Sequence, residues 1–228
     1  MKIVALETHI VDVPPPHIGG MYWLFVKLKT DCGIEGVGEI YAATFGPKAM
    51  LPIIEDVFER YLLNHDPHHI ERFFRQAYSS GFTQRPDLTM MGVVSGLEMA
   101  CWDIIGKAAN KPVYELLGGK VNERLRSYTY LYPVNSQGEY DYDDPDLAAE
   151  CAIENMNKGF TAVKFDPAGP YTAYSGHQIS LEVLERCETF CRKIREAVGD
   201  KCDLLFGPHG QMVPSSAIRL AQRLEKYD

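Results

Sequence analysis

Gly159–Gln211 opens with GFTAVKFDPAGPY, runs through a long amphipathic segment and closes with KCDLLFGPHGQ; its reading decides the fold. Two short apolar segments, Phe160–Phe165 and Asp203–Phe206, have strand length. Between them Leu181, Leu184, Cys187, Cys191, Ile194 and Val198 recur at helical spacing and stop at Gly199. Strand, helix, strand is a βαβ unit, and its two strands are expected to be parallel. In parallel α/β sheets and barrels, ligands gather at the carboxyl ends of the strands. Those ends carry Lys164, Asp166, His209 and Gln211.

Working outward, Leu147–Lys158 reads as a helix closed by Gly159, and Leu125–Leu131 (LRSYTYL) alternates as a further strand. Between them Pro133–Asp144 is a polar loop of a length usually functional or mobile. After Asp203–Phe206, Pro214–Tyr227 starts a helix with proline in its first turn. The first half differs. Lys2–Val13, Tyr22–Thr30 and Gly36–Tyr41 read as strands; Pro14–Gly20 is a stiff turn after the first, and Asp31-Cys32-Gly33 turns between the second and third. Two amphipathic helices, Lys48–Leu63 and Pro67–Ser80, precede the strongly apolar Leu88–Ala109, in which Glu98 and Asp103 must be paired or solvated. Pro112–Leu117 adds a helical turn ended by Gly118-Gly119.

The 228 residues are 46% hydrophobic and 24% charged, as in an ordinary globular protein of one or two domains. A formal charge of −8 with no basic run argues against nucleic acid or an anionic membrane as partner. The amino terminus has no signal-like apolar run, and no segment is read as coming near the ~20 apolar residues of a membrane span, so the expected location is cytoplasmic. Cys32, Cys101, Cys151, Cys187, Cys191 and Cys202 contain no CxxC and are expected to be reduced core thiols. NHDPHH, with His65, His68 and His69, reads as a helix start at Asp66-Pro67 rather than a metal cluster.

LKTDCGIEGVGE, GLEMACWDIIGKAANKPVYELLGG and GFTAVKFDP resemble the amino-terminal two-thirds of the mandelate racemase and muconate lactonizing enzyme group of the enolase superfamily. The carboxyl-terminal HGQMVPSSAIRLAQRLEKYD is most similar to its sugar-acid dehydratase branch, which includes mannonate and galactonate dehydratases. The resemblance implies an α+β capping domain over residues 1–119. It implies the first βα units, about three of eight, of a TIM-type (β/α) barrel over residues 120–228. A complete barrel takes about 250 residues, so the resemblance implies a truncated barrel, with the later acidic Mg²⁺ ligands expected beyond Asp228. The implied chemistry is removal of a proton next to a carboxylate, with Mg²⁺ stabilising the enediolate, followed in a dehydratase by acid-assisted loss of the β-hydroxyl.

Lys164 falls on the first lysine of the family's K-x-K pair, a contact for the substrate carboxylate; the plain alternative is a lysine paired with a neighbouring acid. Asp166 replaces the second lysine, the base of racemases, and is a weak base unless burial raises its pKa; otherwise it is a turn residue before Pro167. His209 falls on the dehydratase acid, with a polar strand-end residue as the alternative, and Gly207 stands where the family carries a metal-binding aspartate. The cover loops Pro14–Tyr22 and Tyr41–Phe45 would bring His17, Trp23 and Tyr41 toward a substrate, and the segment after Pro167 would bring Tyr171, Tyr174 and His177. Family habit adds a homo-oligomer and a small sugar-acid substrate. Two other readings stay open: a racemase or cycloisomerase of the superfamily, and a non-catalytic relative that binds a ligand or partner.

Overall fold

A computed structural model describes residues 1–15, 17–41, 45–79, 87–169 and 179–228. The chain divides into two compact units, Met1–Val121 and Asn122–Asp228, each with its own core.

In the first unit β1 (Ile3–Asp12), β2 (Tyr22–Thr30) and β3 (Glu35–Ile40) form an antiparallel meander in the order β1-β2-β3. The alternation in β2 is the cause: Leu24, Val26, Leu28 and Thr30 are buried, while Lys27 and Lys29 take the other face. There both lysines pair with Glu7 of β1, Lys27 at 2.9 Å, and with Glu35 of β3. Gly33, at φ +84, makes the β2–β3 turn.

Helices α1 (Pro47–Tyr61), α2 (Ile70–Tyr78) and α3 (Leu88–Ala109) follow. The α2 helix starts at Ile70 rather than Pro67, because Asp66 spends its carboxylate on the His68 backbone N–H and imidazole within the preceding turn. Asp87 caps α3 by accepting the Met90 N–H at 2.9 Å, and Asn110 ends it in the left-handed region. The two acids of α3 are satisfied: Glu98 accepts the Trp102 indole N–H, and Asp103 accepts the Val37 N–H and pairs with Lys107 at 2.8 Å.

Among the described residues α3 is the one helix long and apolar enough to cross a membrane, at 22 residues and a mean hydropathy of 1.4. This corrects the expectation that no segment comes near that length. The apolar surface has an internal use here: Val93, Val94, Leu97, Ala100, Cys101 and Ile104 lie in the unit's core. A short α4 (Val113–Leu116) follows, ended by the positive-φ pair Gly118-Gly119.

The second unit is a parallel sheet, β4 (Thr129–Tyr130), β5 (Ala162–Phe165) and β6 (Asp203–Phe206), in the order β4-β5-β6. The helices α5 (Pro145–Asn157), α6 (Leu181–Val198) and α7 (Pro214–Leu224) connect and follow the strands. Asp144 caps α5, with Pro145 at its first position, and Ser180 caps α6 by accepting the Val183 N–H. The α6 stripe is Leu184, Cys187, Phe190, Cys191, Ile194 and Val198; Leu181 is instead 67% exposed, since it follows the cap in the first turn.

The strand expected over Leu125–Leu131 shortens to Thr129–Tyr130, because Arg126 anchors the segment before it by bonding Thr161 and pairing with Asp203. The polar loop is ordered locally: Val134 bridges to Tyr140, and the Asn135 side chain accepts the Gln137 and Glu139 N–H groups. Of the six thiols, Cys101, Cys187, Cys191 and Cys202 are buried, Cys151 is half-buried, and Cys32 is exposed in its turn, which corrects its expected core position.

Candidate active site

The site is built by three neighbouring strand ends of the second unit. Parallel register sets Tyr130 of β4 beside Lys164 of β5, and Lys164 beside Leu205 of β6. Residues in register project to the same face, so Tyr130 and Lys164 share a face, and Asp166 continues it one step beyond β5. After β6 the Gly207 N–H donates to Phe165 O at 3.1 Å, carrying the ladder one residue further. Pro208 follows, and His209 (φ 53) and Gly210 (φ 67) both take the left-handed conformation that turns the chain at the strand end.

That turn brings two residues 43 positions apart together. His209 Nδ1 lies 3.3 Å from Asp166 Oδ2, a geometry in which the imidazole N–H donates to the carboxylate. The two differ in access: the Asp166 side chain is 4% exposed and that of His209 61% exposed. The other Asp166 oxygen accepts the Ala168 N–H at 3.2 Å, so the turn-forming role and the histidine contact are held at once. Below lies Cys187 of α6, whose thiol is pushed up to about 12, first by burial and then by the Asp166 charge. Burial, and after it the Asp166 charge, also raise the Tyr130 phenol, so its hydroxyl stays a proton donor at neutral pH.

Tyr130 and Tyr132 were not singled out from sequence. The signal was there in the alternation of LRSYTYL and the following Tyr132, which spaces Tyr128, Tyr130 and Tyr132 two residues apart. Tyr130 packs on Tyr132 at 5.4 Å between ring centroids, Tyr132 on Tyr140 at 6.1 Å, and Tyr140 on Tyr142 at 6.0 Å. The polar loop thus contributes an aromatic wall beside the strand ends.

The other expected residues are placed as follows. Gln211 lines a separate apolar cavity of about 400 Å³, formed with Phe165, Leu204, Phe206, Leu220 and Leu224 on the helix side of the strands. Its lining also includes Glu225, Tyr227 and Asp228, and does not include Lys164, Asp166 or His209. His17, Trp23 and Tyr41 lie in the first unit: the His17 ring contacts Val13 O at 2.6 Å, Trp23 is 38% exposed and Tyr41 is 72% exposed. Tyr171, Tyr174 and His177 lie outside the described residues, as do residues 42–44 of the Tyr41–Phe45 loop.

A three-stranded meander with helices, followed by parallel βα units with a lysine and an Asp–His pair at their strand ends, is consistent with the enolase type of two-part chain. The comparisons agree. The amino-terminal domain model of mandelate racemase / muconate lactonizing enzyme matches residues 16–118, and the enolase C-terminal domain-like model matches residues 146–228. The chain belongs to the mandelate racemase / muconate lactonizing enzyme family of the enolase superfamily. It is 33% identical to D-gluconate dehydratase of Thermoproteus tenax over 90% of this chain and 39% of that protein. It is 28% identical to D-xylonate dehydratase of Haloferax volcanii over 97% and 53%. A solved structure from Jannaschia sp. CCS1, a mandelate racemase/muconate lactonizing enzyme, superposes with a TM-score of 0.95 at 52% identity, covering 100% of this chain and 59% of that one. A family protein from Burkholderia SAR-1 superposes at 0.97 with 86% identity, covering 100% and 57%. The chain thus spans about half the length of the relatives it matches.

Family membership implies Mg²⁺. The residues described do not fit it: no three His, Cys, Asp or Glu side chains converge among them. Residue 207, the family's aspartate position, offers no side chain, and the Lys164 cation lies against it.

Proposed function

We propose that the protein carrying this chain is a sugar-acid dehydratase, a hydro-lyase that removes water from an aldonate to give a 2-keto-3-deoxy acid. The Asp166–His209 pair beside Lys164 carries the reading. Lys164 binds the substrate carboxylate, which lowers the cost of the charge that develops there when the α-proton leaves. The α-proton passes to a base supplied by the rest of the whole protein and the C–H electron pair forms the α,β double bond, while His209 gives its proton to the departing β-hydroxyl so that the C–O bond breaks to water. The enol product then tautomerises to the ketone. Asp166 accepts from His209 Nδ1 and so fixes the tautomer and orientation of the imidazole. Tyr130, protonated and in register with Lys164, adds a donor for the same carboxylate.

The names of the relatives, gluconate, xylonate and galactonate dehydratases, support this substrate class. In the whole protein the parallel strands belong to a TIM-type barrel, and the enzyme works in the cytoplasm as a homo-oligomer; the family's metabolic character supports the location. The test is a panel of aldonates, D-gluconate, D-galactonate and D-xylonate among them, incubated with the whole protein and Mg²⁺ and assayed for 2-keto-3-deoxy acid. Product from at least one is expected. α-Proton exchange in D₂O without dehydration would replace the reading with racemisation or cycloisomerisation. Binding without either reaction would favour a non-catalytic relative, which the poor metal donor set already motivates.

A further inference from the structure

Gly207 and Lys164 fit together in a way that neither residue shows alone. A Cβ placed on Gly207 would lie 2.3 Å from Lys164 Cε, 3.5 Å from Cδ and 3.2 Å from Nζ. The end of the lysine therefore lies flat across the face of residue 207, in the space the first side-chain atom of any other residue would take. The β5–β6 ladder holds the two together, since the Gly207 N–H donates to Phe165 O, one residue beyond Lys164. The backbone at 207 is outside the left-handed region, so its conformation does not itself call for glycine. Among the described residues the Lys164 ammonium makes no ion pair or hydrogen bond, and its stem occupies the space a side chain at 207 would take.

We propose that Gly207 is a positioning residue for Lys164. The missing side chain at the end of β6 lets the lysine cross to that strand end, where its ammonium is the resident cation in place of a metal-binding side chain. Such a site takes the carboxylate of an organic acid directly, and it opposes a divalent cation at the same spot by like-charge repulsion. The inference rests on the reading of Lys164 as the carboxylate contact.

The test uses the whole protein with its lysines reductively ¹³C-methylated, and D-gluconate as the probe. Gly207→Ala should fold and melt as the wild type does, because the atoms it displaces are the flexible end of one side chain. It should nonetheless move the Lys164 resonance, assigned by its absence in Lys164→Met. Calorimetry should show Gly207→Ala weakening D-gluconate about tenfold, Lys164→Met weakening it at least as much, and Gly207→Ala adding nothing in the Lys164→Met background. An unmoved Lys164 resonance, or a loss from Gly207→Ala that persists without Lys164, overturns the proposal. If Lys164→Met leaves binding unchanged while Gly207→Ala still moves the resonance, positioning stands and the carboxylate reading fails.

Discussion

Asp166 does two things with two oxygens, and they can be separated. One oxygen accepts the Ala168 N–H and shapes the turn; the other meets His209 Nδ1. Asparagine keeps an acceptor for the turn but cannot stabilise an imidazolium, and its amide can hold the wrong tautomer. Asp166→Asn is therefore expected to lower kcat for dehydration by about 10²-fold while leaving KM and the melting temperature near wild type. Steady-state kinetics on an aldonate that the panel identifies as a substrate decides it; a change in KM alone would make Asp166 a structural residue. At this scale the sequence named Lys164, Asp166 and His209 by their places at strand ends. That Asp166 and His209 touch was not legible, because the contact spans 43 residues and depends on a left-handed turn at a non-glycine position.

Helix α3 lies closer to β3 than side chains would permit. A Cβ on Gly38 would meet Gly96 O at 1.9 Å, and one on Gly36 would meet Ala100 O at 2.1 Å; both obstacles are backbone and cannot swing aside. Gly38→Ala should destabilise the first unit by about 3 kcal/mol in urea unfolding. A loss below about 1 kcal/mol would mean that α3 can shift off the sheet.

In the second unit α6 is clasped to the end of α7 by Glu188. Its carboxylate pairs with Lys226 at 2.5 Å, pairs with Arg223 and accepts the Tyr227 hydroxyl at 3.1 Å. Lys226 first and Arg223 next hold it at about 2, below its ordinary value of 4.5. A depressed carboxylate stabilises the fold fully above the unfolded value and loses that contribution as pH falls through the folded one. The stability gap between wild type and Glu188→Gln should thus be constant near neutrality and close between pH 4.5 and about 2; unfolding curves at stepped pH measure it. A gap that does not change over that window would show that the clasp contributes through shape alone.

For the molecule as a whole, the donor set makes the metal question direct. Among the described residues Asp166 and His209 meet at a strand end that also carries Lys164, and no three metal-binding side chains converge. Mg²⁺ prefers several hard oxygen donors in an octahedron. Calorimetric titration of this chain is expected to show no saturable binding at millimolar Mg²⁺, and saturable binding would mean that a donor set exists outside the described residues. The element order, the meander and the βαβ unit were determined by the sequence alone, because alternation, helical periodicity, caps and turn glycines are local signals with periods of two and 3.6 residues, and the family was legible through the resemblance of its motifs. The tertiary structure alone decided that Lys164 lies on Gly207, that Tyr130 stands beside it and that His209 meets Asp166. Those facts depend on register between strands and on how closely elements pack, and both are set by contacts between residues far apart in the chain, which no local pattern records.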